Sequence, residues 1–229
     1  MSGRRDALKA VYMEARECTR CSELAAGRTN VVFGAGNADA ELMFVGEAPG
    51  ANEDRQGLPF VGQAGKLLEK LLVEIGMTRE EVFIANVLKC RPPGNRDPLP
   101  LEIENCRPYL LRQVELIRPS VICTLGNFAT KLLREDAAGI TRVHGRPEVR
   151  ALGERSVRLY PIYHPAAALY TPSMLEELRA DFARLPDLLK QPLPAGDPPP
   201  LAEQDADEPP PAEAPPSVET AGEAQIGLF

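Results

Sequence analysis

The sequence predicts an α/β fold, a three-layer α/β/α arrangement around a central, mainly parallel, four-stranded sheet. Three observations predict it. Apolar runs at 41–45, 82–87, 121–125 and 155–163 are separated by longer stretches with apolar residues at helical spacing. Strands that alternate with helices form parallel sheets covered on both faces. The first run also feeds a glycine-rich loop and then an amphipathic helix pattern, the way such folds build a ligand site at the carboxyl end of a strand.

In chain order, 4–17 reads as a helix and CTRC follows at 18–21. The strand 41–45 leads into GEAPGANEDRQGLPFVGQAG at 46–65. Its five glycines allow turns and close approach to a ligand, its two prolines stiffen it, and Phe60 is an apolar ring in polar surroundings. A tight surface loop with scattered charges is the bland alternative. Residues 63–75 read as a helix stopped by Gly76, and Thr78 to Glu81 resembles a capping box for one short turn. The strand 82–87 is followed by the proline-rich loop CRPPGNRDPLP at 90–100 and a helix over 101–117. The run 121–125 is apolar apart from one threonine and reads as a central strand. A helix over 126–133, a strand over 155–163 and a helix over 173–189 complete the order.

The 229 residues suffice for one domain with an extension. From 191 to 229 there are ten prolines, eight acids and no lysine or arginine. That composition cannot bury enough apolar surface to order the chain. It also carries the negative balance: removing eight acids from 33 leaves 25 against 26 basic residues, so 1–190 is close to +1. The low overall pI therefore does not argue against a nucleic-acid partner for the body. No segment has the length of a transmembrane helix, and the N-terminus is amphipathic and charged where a signal peptide would be apolar. The expectation is a cytoplasmic protein with reduced cysteines.

Of the five cysteines, Cys123 lies inside an apolar strand and reads as a small core residue. Cys18 and Cys21 form a tight pair, and Cys90 and Cys106 a wide one; all four lie at loops or element ends. Four such thiolates suit a structural zinc or an iron–sulfur cluster, and the wide spacing favours the cluster.

Five stretches carry a family resemblance: GEAPG at 46–50, GLPFVGQAGKLL at 57–68, NVLKCRPPGNRDP at 86–98, CRPYL at 106–110 and YHPAAAL at 163–169. Jointly, and in this order across 18–189, they resemble the family 4 uracil-DNA glycosylases, the iron–sulfur branch of that superfamily. The resemblance implies a monomeric DNA repair enzyme that hydrolyses the N-glycosidic bond of uracil in DNA and leaves an abasic site. It implies a structural [4Fe–4S] cluster on Cys18, Cys21, Cys90 and Cys106.

It also implies roles at the site. Gly46 and Phe60 belong to the uracil pocket, with Phe60 as a stacking platform. Asn86, at a strand end, offers a donor and an acceptor to the uracil edge, a pattern that cytosine mismatches. His164, as a neutral donor or as its cation, stabilises the anion developing at uracil O2. At Ala48, where related families carry an Asp or Asn that activates water, only backbone is available; a main-chain carbonyl or Glu47 must position the water. Glu53 resembles the residue that excludes the thymine methyl. Glu47 and Glu53 as solvated loop charges is the alternative. His144 reads as a core histidine. Lys89, Arg91 and Arg96 are expected on DNA phosphates, and Leu169 as a wedge in the vacated base stack.

The chain ends Gln225-Ile226-Gly227-Leu228-Phe229, an apolar cluster after a polar stretch. It resembles the peptide by which bacterial proteins bind the DNA sliding clamp, with Gln225, Leu228 and Phe229 as contacts. The expected organisation is thus a glycosylase domain over 1–190, a disordered linker over 191–224 and a clamp-binding peptide over 225–229, associated with the nucleoid. Two other readings remain. One is a uracil-DNA trap that bonds covalently to the product sugar; relatives of that kind carry a histidine in the loop after the second strand, and 90–106 has none. The other is a non-catalytic, polymerase-associated iron–sulfur module, which the presence of Phe60, Asn86 and His164 disfavours.

Overall fold

The computed structural model describes residues 2–152 and 155–193. The expectations for the acidic linker beyond 193 and for the terminal peptide lie outside the described residues. The elements are α1 (Ser2–Arg16), α2 (Ser22–Gly27), β1 (Ala35–Gly36), β2 (Leu42–Gly46), α3 (Ala51–Gln56), α4 (Gln63–Glu74), β3 (Phe83–Asn86), a 3₁₀ turn (Pro93–Asn95), α5 (Pro100–Ile117), β4 (Val121–Leu125), α6 (Asn127–Arg134), α7 (Ile140–Val143), β5 (Glu148–Leu152), β6 (Arg155–Ile162), α8 (Pro165–Ala168) and α9 (Pro172–Lys190).

The sheet has the order β1-β3-β2-β4-β6-β5. The four central strands run parallel, as the alternating pattern predicts. The sheet is nevertheless six-stranded, because β1 and β5 add antiparallel edges. Both escape a pattern search. The strand β1 is two residues long, and β5 (EVRAL) alternates charge at a half-exposed edge, the form in which edge strands avoid further pairing.

Side chains alternate along each strand and divide the core between the two faces. Met43, Val45, Phe83, Ala85, Ile122 and Leu159 meet α1, α5 and α6 through Leu8, Val11, Leu110, Val114 and Leu133. Leu42, Phe44, Ile84, Cys123, Tyr160 and Ile162 meet α4 and α9 through Leu68, Leu71, Leu72, Leu178, Phe182 and Leu185. Cys123 is fully buried, the core residue its position predicts. Gly76 has φ = 75° just past α4, the left-handed stop read from the sequence. Glu102 starts α5 by accepting the Leu99 N–H at 2.9 Å, satisfying one of the free donors of the first turn. The Thr78–Glu81 bonds form as expected and close one short turn.

Two registers set the site. Gly46 lies beside Asn86 across the parallel β2–β3 pair, and Leu125 beside Ile162 across β4–β6. The chain leaves β2 for β3 on one side and returns to β4 on the other. Strand order therefore reverses at β2, and an open α/β sheet has its ligand crevice at the carboxyl end of such a point.

Candidate active site

A cavity of about 220 Å³ opens at those strand ends. The loop after β2 contributes Glu47, Ala48, Pro49, Gly50, Glu53 and Phe60; α4 contributes Ala64; the end of β3 contributes Asn86. Pro92, Asn95 and Arg96 come from the following loop, and His164 from the end of β6. The structure thus brings together Glu47, Ala48, Glu53, Phe60, Asn86 and His164, from segments more than 100 residues apart in sequence. The sequence offers no signal for Asn95 beyond the Gly94-Asn95 turn; it takes φ = 57°, a conformation asparagine tolerates better than most residues.

Phe60 has φ = 52°. For an aromatic residue such backbone costs on the order of 1–3 kcal/mol and persists only where its surroundings hold it. Its ring stacks on the imidazole of His164, centroids 5.5 Å apart. Gly46 passes directly beneath: a Cβ there would stand 2.4 Å from Asn86 Oδ1 and 2.8 Å from the Phe60 ring. Only glycine lets Asn86 and Phe60 approach each other this closely.

Asn86 is 2% exposed, and its Oδ1 is buried with no hydrogen-bond partner. An orphaned buried acceptor costs about 1–3 kcal/mol and calls for an explanation. This one borders a cavity, where a ligand donor would satisfy it.

His164 caps α8, and its Nδ1 accepts the Ala166 N–H at 3.1 Å. With Nδ1 accepting, a neutral ring carries its proton on Nε2. Burial lowers the His164 pKa to about 4, with Glu53 opposing. The imidazole is therefore an uncharged Nε2–H donor at neutral pH.

The two loop carboxylates differ. Burial, then Asp97, raises the Glu47 pKa, while its backbone carbonyl accepts the Leu88 N–H at 3.0 Å. The Glu53 Oε1 accepts the amides of Val61 and Gly62 at 2.9 and 2.8 Å. Glu53 is thus a brace of its own loop as well as a wall of the cavity, and not a freely solvated charge.

Two of the three cations expected on DNA are used internally. Lys89 is 2% exposed; its Nζ donates to Asn86 O at 2.8 Å and to Gln113 Oε1 at 2.6 Å. Burial lowers its pKa to about 7. It cannot reach a phosphate, so that expectation is corrected: Lys89 fastens the end of β3 to α5. Arg96 forks onto Glu102 Oε1 and Oε2 at 2.7 and 3.0 Å and also meets Glu23 at 2.8 Å. Its charge is thus already paired within the protein, while its side chain borders the cavity. Arg91 is half-buried and donates Nε to Asn95 Oδ1 at 2.7 Å. Beyond His164, Leu169 is half-buried, and the exposed apolar side chain is its neighbour Tyr170, at 86%. His144 bonds Asp181 Oδ2 at 2.5 Å and stacks on Tyr163, ring centroids 4.2 Å apart, the structural place expected of it.

Cys18, Cys21, Cys90 and Cys106 pack against one side of the core. Three N–H donors meet sulfurs there: Arg28 Nη1 to Cys90 at 3.3 Å, Lys89 N to Cys106 at 3.3 Å and Asn105 Nδ2 to Cys21 at 3.5 Å. Burial raises both the Cys90 and the Cys106 thiol, the latter to about 11. Among the described residues no three Cys, His, Asp or Glu side chains converge around a single metal ion. A multi-iron cluster spreads its thiolates more widely, and N–H donors aimed at sulfur suit one. The donor set fits such a group.

Comparison with known proteins agrees with this geometry. The profile described as the uracil DNA glycosylase superfamily matches residues 33–188. A type-4 uracil-DNA glycosylase of Archaeoglobus fulgidus is 48% identical over 82% of this chain and 96% of its own length. One of Sulfurisphaera tokodaii is 48% identical over 80% and 85%. A DNA polymerase of Bacillus phage SP01 is 33% identical over 69% of this chain but only 17% of its own length. A mainly parallel sheet whose strand order reverses at β2, with a cavity at that point, accords with the profile match and with relatives matched over 85–96% of their own length, and the chain belongs to the uracil-DNA glycosylase superfamily.

Proposed function

We propose that the protein excises uracil from DNA in base excision repair, hydrolysing the N-glycosidic bond to leave an abasic site. The observation that carries this reading is the partnerless Oδ1 of Asn86 at the cavity. A uracil edge supplies the missing donor through N3–H, and the amide NH₂ of Asn86 donates to O4. Cytosine presents an acceptor at N3 and an amine at C4, and so mismatches both.

The nucleotide leaves the stack, at a cost of a few kcal/mol, and its base lies against Phe60. As the C1′–N1 bond breaks, its electron pair passes to the base, and negative charge develops on O2. His164 Nε2–H donates to that oxygen; being neutral, it needs no proton of its own to arrive first. Water, held by Glu47 or by the Ala48 carbonyl since Ala48 has no acid, adds its oxygen to C1′ and gives up one proton, through Glu47 or solvent, which ends on the departed uracil anion. The rate then rests on anion stabilisation more than on a general base. Glu53 holds the pocket loop and presents its carboxylate where a thymine methyl would stand.

The relatives' type and the donor set support a [4Fe–4S] cluster on Cys18, Cys21, Cys90 and Cys106. When bound, it would tie the 18–21 segment to the loop after β3 and to α5. Arg91 and loop amides would meet phosphates, with Leu169 and Tyr170 beside the vacated stack. A monomer suffices for this chemistry. Clamp binding by 225–229 remains an independent proposal resting on the terminal sequence. Incubation with a uracil-containing oligonucleotide followed by alkali should give strand scission at uracil. Intact strands would overturn the enzyme reading, and an SDS-stable adduct would favour the covalent trap.

A further inference from the structure

The strained backbone at Phe60 is gripped from three directions. Arg79, in the turn between α4 and β3, donates Nη1 to the Phe60 carbonyl at 2.9 Å and Nη2 to the Pro59 carbonyl. Glu53 takes the next two amides, those of Val61 and Gly62. Behind the loop, a Cβ on Gly65 would stand 1.9 Å from the Phe60 oxygen, so the first turn of α4 closes on that carbonyl.

We propose that Arg79 is a positioning residue for the base platform: its guanidinium fork fixes the Pro59 and Phe60 carbonyls and so sets the plane of the Phe60 ring. This rests on the reading of Phe60 as the surface against which uracil lies. Arg79 does not line the cavity, so it acts through Phe60. The residue type matters. Two successive carbonyls turned to one side match the fixed, parallel N–H groups of a planar guanidinium, whereas a lysine offers one mobile point donor. Arg79 is half-buried, and Glu69, Glu80 and then Glu53 are the carboxylates that favour its charge against that burial. Opposite charges thus clamp the peptide units on either side of Phe60, and φ = 52° is held without contact from the substrate.

A double-mutant cycle tests this on the full-length protein with its cofactor. Wild type, Arg79→Met, Phe60→Ala and the double variant are compared for kcat/KM on a uracil oligonucleotide and for inhibition by free uracil. Arg79→Met should weaken both by about tenfold or more, the scale of a lost charged hydrogen bond; Arg79→Lys should recover part of the loss. In the Phe60→Ala background, Arg79→Met should change neither value by more than about twofold, because its effect passes through the ring. The same full loss in both backgrounds would overturn the proposal, as would wild-type values for Arg79→Met while Phe60→Ala is impaired. Wild-type values for Phe60→Ala would remove the platform reading itself, and the proposal with it. If Arg79→Met fails to fold, Arg79→Lys runs the same cycle with amide exchange. Faster exchange at Val61 and Gly62, with α4 unchanged, supports the clamp; unchanged exchange and kinetics overturn it.

Discussion

Gly46 is where single-atom distances decide most. Alanine there would push its methyl into Asn86 Oδ1 and the Phe60 ring, and overpacking of this kind costs about 1–3 kcal/mol. The cheapest relief is to move one of those two side chains. Gly46→Ala should therefore lower kcat/KM for uracil excision by about tenfold or more, with a smaller effect on the melting temperature; full activity would show that the pocket is looser than its distances. His164 carries the pH argument. Its folded pKa is about 4 against an ordinary 6.5. As pH falls from 6.5 towards 4, the unfolded chain binds a proton that the folded protein refuses, so this group lowers stability in that window and has no effect above it. The single-turnover rate should show no inflection near pH 6.5, and proton NMR should find His164 neutral there. A His164 titration at 6.5 would contradict the neutral donor.

At the scale of elements, the loop after β3 shows what a sequence reveals and what it hides. Its motif places it beside the site, and Asn86, Asn95 and Arg96 do reach the cavity. The direction of each side chain was not legible. Lys89 and Arg91 are two positions apart and look alike in sequence, yet one is sealed against Gln113 and the other reaches the surface loop. Burial of a cation depends on a partner contributed by α5, many residues away. The two should therefore differ in salt dependence. A lost phosphate contact reduces the slope of log K against log salt by about one. Arg91→Ala should show that change; Lys89→Met should leave the slope alone and lower the melting temperature, since it leaves Asn86 O and Gln113 Oε1 without their donor. The opposite pattern would contradict the burial of Lys89. The central strands were legible because both their faces are apolar. The edges β1 and β5 were not, since an edge needs few apolar residues. Arg79 carries no signal in the sequence for a related reason: its targets are backbone carbonyls, which leave no trace in a pattern of side chains.

Across the whole molecule, charge is divided by region. Residues 1–190 are nearly neutral, and the acids beyond them give the chain its net charge of −7. Such a tail would repel DNA if it lay along the site, but a peptide at its end could tether the enzyme. A random coil of about 35 residues reaches roughly 30–35 Å, and tethering raises local concentration without new contacts at the site. Truncation after residue 193 should leave excision from a free oligonucleotide unchanged and abolish retention on a sliding clamp, as should Leu228→Ala with Phe229→Ala. Equal clamp retention by truncated and intact protein would exclude the terminal peptide as a tether. On the proposed mechanism, one pocket built from three strand ends binds uracil and stabilises it as a leaving anion. Single-turnover excision by His164→Ala, measured beside its affinity for uracil-containing DNA, tests this most directly. A rate lower by about 10²–10³ with affinity nearly unchanged is the predicted result; a wild-type rate, or equal losses of rate and affinity, would contradict it.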